Sequence, residues 1–371
     1  MSTFRIFDLI PSLQATLKVE GFATPTEIQE RALPPLLRGE SIVGVAETGS
    51  GKTIAYALPV LQKVKQLEEG GDTVTESGQP RAIVLVPSSD LGEQVAKAMK
   101  VFTHDTRVRV RAAVGGVAMK IARKNVGGPF EVLVATPGRL EQLMAMKLVT
   151  LSDVRFLVFD EADQILDQGF LPAIKRILRA SPADRQLALF TATASEAVHA
   201  LIAELFHGAE VIETKGRHRL VSTLITVNLA VPRGRRFPLL EKVLAETVEG
   251  GTLIFGNTRE QCDELAAELE EHGYPCAIYR GDMDKKERRR NLQQFRDGEL
   301  EILLSTDLAA RGLDVENIGR VVNYHLPREL KNYLHRAGRT ARAGREGTVI
   351  NFVTERDQNL IKRLESVGGA G

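Results

Sequence analysis

Two consecutive α/β domains, each a parallel sheet with helices on both faces, are predicted by three features of this sequence. At 371 residues the chain exceeds one ordinary domain of roughly 100 to 200 residues, so two are expected. Short apolar, β-branched runs recur along both halves, which is how strands buried on both faces read. The segments between those runs are long enough for the crossover helices that parallel strands require.

The strand candidates of the first half are "SIVGVA", "AIVLVP", "EVLVAT", "RFLVFD" and "QLALFT", and those of the second are "GTLIFG", "CAIY", "EILLST", "RVVNYH" and "TVINFV". A helix is predicted for "REQCDELAAELEEHG", which sets Leu265, Ala266 and Leu269 on one side. Between the halves lies "TKGRHRLVSTLITVNLAVPRGRRFP", whose basic, Gly- and Pro-containing ends flank a further strand candidate, "LITVNLAV". The boundary is placed near residue 217, with a first domain over 1–213, a linker over 214–222 and a second domain over 223–371. The polar stretch "GGDTVTESGQP" at 70–80 is expected to be a flexible surface loop.

Hydrophobic residues make up 43% and charged residues 26%, the balance of a soluble globular chain with a real core. Two cysteines, Cys262 and Cys276, supply neither a disulfide framework nor a zinc-site spacing, so a reducing, cytoplasmic setting is expected. The start "MSTFRIFDLIPSLQ" lacks the apolar run of a signal peptide, and no stretch approaches the eighteen or so apolar residues of a membrane span. No membrane partner is expected, and a monomer is. A net charge of +1 does not announce nucleic acid, but basic residues gather in "RVRVR" (107–111), "KGRHR" (215–219), "RGRR" (233–236), "KKERRR" (285–290) and "HRAGRTARAGR" (335–345). Each such run is either a solvated face or a polyanion contact.

The chemistry starts at "SIVGVAETGSGKT". A strand leads into a Gly-rich turn and "IAYALPVLQKV" supplies a helix after it, so backbone N–H groups and a helix N-terminus face a polyphosphate. Gly49 and Gly51 can take the positive φ of an anion nest, Lys52 can reach the β- and γ-phosphates, and Thr53 can offer its hydroxyl to Mg²⁺. The general pattern wants glycine where Ala46 stands; alanine is tolerated there if its φ is negative. An acid for the metal follows "RFLVFDEAD", at the carboxyl end of a buried strand where ligands of open α/β folds collect. Asp160 is expected to hold Mg²⁺ largely through water, and Glu161 to position and deprotonate the attacking water. By residue type alone these acids are equally suited to starting a helix.

"AETGSGKT" (46–53) followed by "DEAD" (160–163) resembles the DEAD-box ATP-dependent RNA helicases of superfamily 2, where alanine at the position of Ala46 is usual. The resemblance covers nearly the whole chain in the expected order. It implies two tandem RecA-like domains, ATP and Mg²⁺ as cofactors, and Ala46, Glu47, Thr48, Gly49, Ser50, Gly51, Lys52 and Thr53 as the phosphate loop. "GFATPTEIQ" (21–29) looks like the family's adenine motif, implying that the Gln29 amide reads the base and Phe22 stacks on it. "TAT" (191–193) matches the motif usually written Ser-Ala-Thr, which makes Thr191 and Thr193, with Asp163, couplers of the nucleotide site to unwinding. Either threonine also suits a helix cap.

In the second half "STDLAARGLD" (305–314) and "HRAGRTAR" (335–342) resemble the last two motifs. The likeness implies that Arg339 and Arg342 are arginine fingers on the transferring phosphoryl group, with His335 and Arg336 in support. Asp314 matches the ribose position. Gly115, Gly116, Thr136, Gly138, Arg139, Arg288, Thr306 and Asp307 match positions that hold single-stranded RNA or a short duplex by its backbone, which carries no base code. With the phosphate loop in one half and the fingers in the other, hydrolysis is expected to need domain closure.

Three departures stand out. "PSSDLG" (87–92) replaces the family's Pro-Thr-Arg-Glu-Leu-Ala, so Ser89 lacks a guanidinium that would fork onto phosphate. Lys285 stands where glutamine is common. His325 stands where aspartate is usual, implying a pH-sensitive contact. The expected function is an RNA-dependent ATPase that unwinds short duplexes or remodels RNA–protein complexes. The alternatives are an RNA-binding scaffold with weakened coupling, or a DNA helicase. Nothing in the sequence selects a particular RNA, or ribosomal and RNA-decay partners.

Overall fold

Strands β1 (Ile42–Val45), β2 (Ala82–Leu85), β3 (Val110–Ala113), β4 (Val132–Ala135), β5 (Phe156–Phe159), β6 (Gln186–Thr191) and β7 (Glu210–Glu213) pair in parallel in the order β3-β4-β2-β5-β6-β1-β7. The structure is a computed structural model that describes residues 3–47, 49–193, 196–206, 208–214, 224–307, 315, 318–341 and 346–368. It divides into two compact units, Met1–Arg217 and His218–Gly371.

Helices of the first unit are α1 (Pro11–Val19), α2 (Glu27–Leu37), α3 (Lys52–Glu69), α4 (Ser89–Val101), α5 (Thr103–Thr106), α6 (Met119–Asn125), α7 (Pro137–Ala145), α8 (Ala162–Asp167), α9 (Leu171–Ala180) and α10 (Glu196–Leu205). Because successive strand residues point to opposite faces, β2 sends Ala82 and Val84 into one apolar cluster and Ile83 and Leu85 into the other. The same alternation in β4, β5 and β6 covers the sheet on both sides, which is why these strands read as unbroken apolar runs. Buried Gln62 of α3 ties down the N-terminal segment, accepting from Ile10 N at 2.9 Å and donating to Asp8 O at 2.7 Å.

The second unit holds β8 (Leu224–Ala230), α11 (Phe237–Leu244), β9 (Gly251–Phe255), α12 (Arg259–Glu271), β10 (Cys276–Tyr279), α13 (Lys285–Arg296), β11 (Ile302–Ser305), β12 (Ile318–Asn323), α14 (Leu330–Ala337), β13 (Gly347–Val353) and α15 (Gln358–Gly368). Its sheet is again parallel, in the order β10-β11-β9-β12-β13-β8. The strand candidate "LITVNLAV" is β8, an edge strand of this sheet paired along β13.

Two strands escape the sequence pattern. β3 starts within the end of the basic run "RVRVR" (107–111), and β7 reads "EVIE"; both are edge strands with exposed positions, so neither has a continuous apolar signature. The 70–80 segment is also a correction, since it is pinned rather than flexible. Arg81 pairs with Asp72 and, at 3.1 Å, with Asp153, and Arg109 donates to Val74 O at 2.9 Å. Gly78, at φ +72, lies so close to Leu148 that a Cβ would meet its carbonyl oxygen at 2.1 Å. Both cysteines are free, and burial pushes each thiol up to about 11, too high for a reactive thiolate at neutral pH. Among the described residues no helix is long and apolar enough to cross a membrane.

Candidate functional site

Sheet order divides the carboxyl edge of the first unit into two halves. β5, β6 and β1 are neighbours, so the loops after them bring together 160–163, 191–193 and the phosphate loop. β3, β4 and β2 form the other half, where Gly115 and Gly116, Thr136 to Arg139, and Ser88 and Ser89 emerge.

In the first half, Gly49 (φ +84) and Gly51 (φ +88) are left-handed as the nest requires, and Ala46 is not among the residues with positive φ, so alanine fits. Gly51 has a second reason to be glycine, because a Cβ there would meet the Gln29 amide nitrogen at 2.4 Å. Lys52 opens α3 and is buried, its Nζ donating to the carbonyls of Ala46 (2.8 Å) and Glu47 (2.6 Å). Phosphate oxygens are stronger acceptors than these neutral carbonyls, so a triphosphate can draw the lysine from them. Desolvation lowers the Lys52 pKa, and the nearby carboxylates of Asp160, Glu161 and Asp163 oppose that shift. Thr48 lies outside the described residues.

Asp160 is buried, and its two oxygens accept from Tyr56 OH (2.7 Å, to Oδ2) and Glu161 N (3.0 Å, to Oδ1). Desolvation raises its pKa, and the Lys52 charge and the Tyr56 hydrogen bond pull it back. Burial first, and then the Asp160 charge, push the Tyr56 hydroxyl well above its ordinary range, so it remains a donor. Glu161 sits in the left-handed region (φ 51, ψ 53), a conformation costing a non-glycine residue about 1–3 kcal/mol. That kink between β5 and α8 aims its carboxylate, which accepts from Gln164 Nε2 at 2.5 Å. Asp163 accepts from the Thr193 hydroxyl at 2.7 Å, and Thr191 Oγ1 donates to Thr193 O at 2.8 Å, so the predicted couplers join the acid cluster directly.

The hard oxygens of Thr53 and Asp160 fit Mg²⁺, which binds through one or two carboxylates and takes its other ligands from phosphate and water. Among the described residues no group of three or more His, Cys, Asp and Glu makes a self-sufficient metal cage. Gln29 is buried and already committed on both ends. Its Oε1 accepts from Thr26 N (2.9 Å) and its Nε2 donates to Gly51 O (3.0 Å), leaving one N–H and one carbonyl lone pair for a base. Phe22 is 37% exposed and stacks on Phe102, with ring centroids 6.2 Å apart.

In the other half, Gly115 N donates to Thr136 Oγ1 at 3.0 Å. A Cβ on Gly115 would make only ordinary contact, with Thr136 at 3.7 Å, so packing within the protein does not demand glycine there. Gly116 needs its glycine for φ +67, and Gly138 sits in the first turn of α7. The Arg139 guanidinium braces this loop, donating to Val117 O at 2.7 Å. Ser88 keeps a capping role, accepting from Leu91 N at 3.3 Å, and Ser89 lies beside Gly116.

The second unit is organised around Arg336, 1% exposed on α14. Its five N–H groups all find acceptors. Nε and Nη2 reach Asp307 (2.5 and 2.9 Å), Nη1 reaches Asn323 Oδ1 (2.9 Å) and His325 O (2.6 Å), and Nη2 also reaches Asn257 Oδ1 (2.8 Å). The guanidinium carbon stands 4.8 Å over the Phe255 ring. Three adjacent strand ends, those of β11, β9 and β12, are thus clamped to one helix. Asp307, expected at RNA, has its carboxylate committed to Arg336, and Thr306 beside it stays partly exposed. Arg288 lies 5.5 Å from the Tyr279 ring centroid. Arg339 is buried with its Nε on His335 O at 3.1 Å; Arg342 and Asp314 fall outside the described residues.

His325 departs from expectation. Burial and the charges of Arg236 and Arg336 hold its imidazole down at about 4, so it stays neutral through the physiological range and is no switch there. Sequence reasoning also missed Tyr56, Gln164, Asn257 and Asn323. The signal for the first two was a polar tip three residues after Thr53 and three after Glu161, the helical spacing that brings side chains together.

Residues 26–201 match the DEAD/DEAH box helicase family, and residues 235–344 match the helicase conserved C-terminal domain. The chain is 32% identical to the ATP-dependent RNA helicase CshA of Listeria monocytogenes, over 98% of this chain and 68% of that protein. It is 36% identical to the ATP-dependent RNA helicase DBP2 of Saccharomyces cerevisiae, over 95% of this chain and 64% of that protein. It therefore spans about two thirds of the length of these relatives. Its structure is similar to S. cerevisiae Dbp5 bound to RNA and ADP BeF3, with a TM-score of 0.86, 30% identity, and coverage of 100% of this chain and 94% of that one.

Proposed function

The chain belongs to the DEAD-box ATP-dependent RNA helicases, and from that premise we propose that it hydrolyses ATP when single-stranded RNA is bound, separating short duplexes or remodelling RNA–protein complexes. The observation carrying this reading is the gathering of buried Lys52 with the Asp160, Glu161 and Asp163 carboxylates at three adjacent strand ends, with Thr193 on Asp163.

In the proposed mechanism the loop amides and Lys52 bind the β- and γ-phosphates, and Thr53 and Asp160 would hold Mg²⁺. When bound, Mg²⁺ supplies charge neutralisation across the phosphate oxygens. Glu161, aimed by its backbone kink and by Gln164, takes the proton of the attacking water as the new P–O bond forms and ADP departs. Arg339 and Arg342 offset charge on the transferring group. Gln29 ties base recognition to the loop, since the amide that faces adenine also holds Gly51. Thr193 on Asp163 holds the γ-phosphate side of the site together, and RNA is proposed to lie by its backbone along the other strand half, at Gly115, Gly116 and Thr136.

ATP turnover measured alone, with single-stranded RNA, and with DNA of the same sequence tests this. Stimulation by RNA and not DNA is expected. No stimulation by RNA would favour an uncoupled RNA binder, and equal stimulation by DNA would favour a DNA helicase.

A further inference from the structure

Tyr56 belongs to no motif recognised in the sequence, yet its hydroxyl lies at the centre of the proposed metal site. It donates to Asp160 Oδ2 at 2.7 Å from α3, one turn after Thr53. With the tyrosine proton on Oδ2 and the Glu161 N–H on Oδ1, the remaining lone pairs of the Asp160 carboxylate are left for a cation. One hydroxyl thereby orients the carboxylate proposed to hold Mg²⁺. The ring that carries it is fully buried, with its centroid 5.4 Å from that of Phe190 on β6. Phe190 in turn fills the space over Gly44, where a Cβ would meet it at 2.7 Å, so the tyrosine is held by packing on a rigid strand.

We propose that Tyr56 is a positioning residue for Mg²⁺–nucleotide binding, fixing the plane of the Asp160 carboxylate before the nucleotide arrives. This rests on the proposed nucleotide site. Without the hydroxyl, Asp160 loses one of the two donors that fix its plane, so pre-organisation of the carboxylate is lost.

The test is binding of a fluorescent methylanthraniloyl-ADP to the full chain, with Mg²⁺ and with EDTA, for wild type and Tyr56→Phe. A hydrogen bond to a charged group is a strong one, and its loss is expected to reduce the Mg²⁺-dependent gain in affinity by about fivefold or more, leaving affinity in EDTA unchanged. Because the readout is a ratio within each protein, a general loosening of the pocket cancels. Tyr56→Met, which also lacks the hydroxyl, is read the same way should the phenylalanine variant fold poorly. An equal Mg²⁺ gain in wild type and variants overturns the role of Tyr56. No Mg²⁺ gain in wild type would instead overturn the site assignment.

Discussion

Both units bury a cation at the carboxyl ends of their strands, and the two cations are held in opposite ways. Lys52 donates to two neutral loop carbonyls, partners that a phosphate can outcompete. Arg336 has every N–H matched, two of them by the Asp307 carboxylate, and no donor is left to exchange. The first arrangement suits a site that exchanges partners, as proposed for Lys52, and the second a fixed brace. Burial of charge alone therefore does not mark a ligand site; the quality of the partners does.

The largest effect that sharpens this contrast is on chemistry without stability. Glu161→Gln keeps the hydrogen-bonding shape and removes the base, so turnover should fall about a hundred- to ten-thousandfold while nucleotide binding and the melting temperature stay near wild type. Arg336→Ala should show the reverse signature. It leaves the half-buried Asp307 carboxylate without its cation and empties the buried guanidinium site, and should cost about 2–3 kcal/mol of stability, read by urea unfolding of the full chain. A melting temperature unchanged by Arg336→Ala would break the comparison.

How much of this was legible in the sequence follows from the same physics. β1, β2, β4, β5 and β6 were readable because both faces are buried, whereas β3 and β7 lie at sheet edges and carry Arg111, Glu210 and Glu213 among their residues. The 70–80 segment misled because its anchors, Arg81, Arg109 and the Leu148 carbonyl facing Gly78, lie outside it. Lys52, Asp160 and Glu161 were legible from their place after buried strands. Tyr56 was hidden by sitting in an apolar helix face, and Asn257 and Asn323 by being far in sequence from Arg336.

A smaller effect concerns pH. His325 is held at about 4 against 6.5, so the unfolded chain takes a proton that the folded one refuses. Stability is then full above pH 6.5 and declines as pH falls toward 4, by about 1–2 kcal/mol once solvent screening of this half-buried ring is allowed for. His325→Asn should flatten that decline in urea titrations at pH 7, 6 and 5; an identical slope would remove His325 as its source. Smallest is Ser89→Arg, which restores a phosphate-directed fork beside Gly116 and should tighten single-stranded RNA binding by up to about fivefold. Unchanged affinity would mean that the fork adds nothing there.

The central proposal is that Arg339 takes part in hydrolysis, and Arg339→Ala in the full chain tests it most directly. RNA-stimulated ATP turnover should drop to the level without RNA while fluorescent ADP binding at the first unit is retained. Wild-type turnover in that variant would contradict the account.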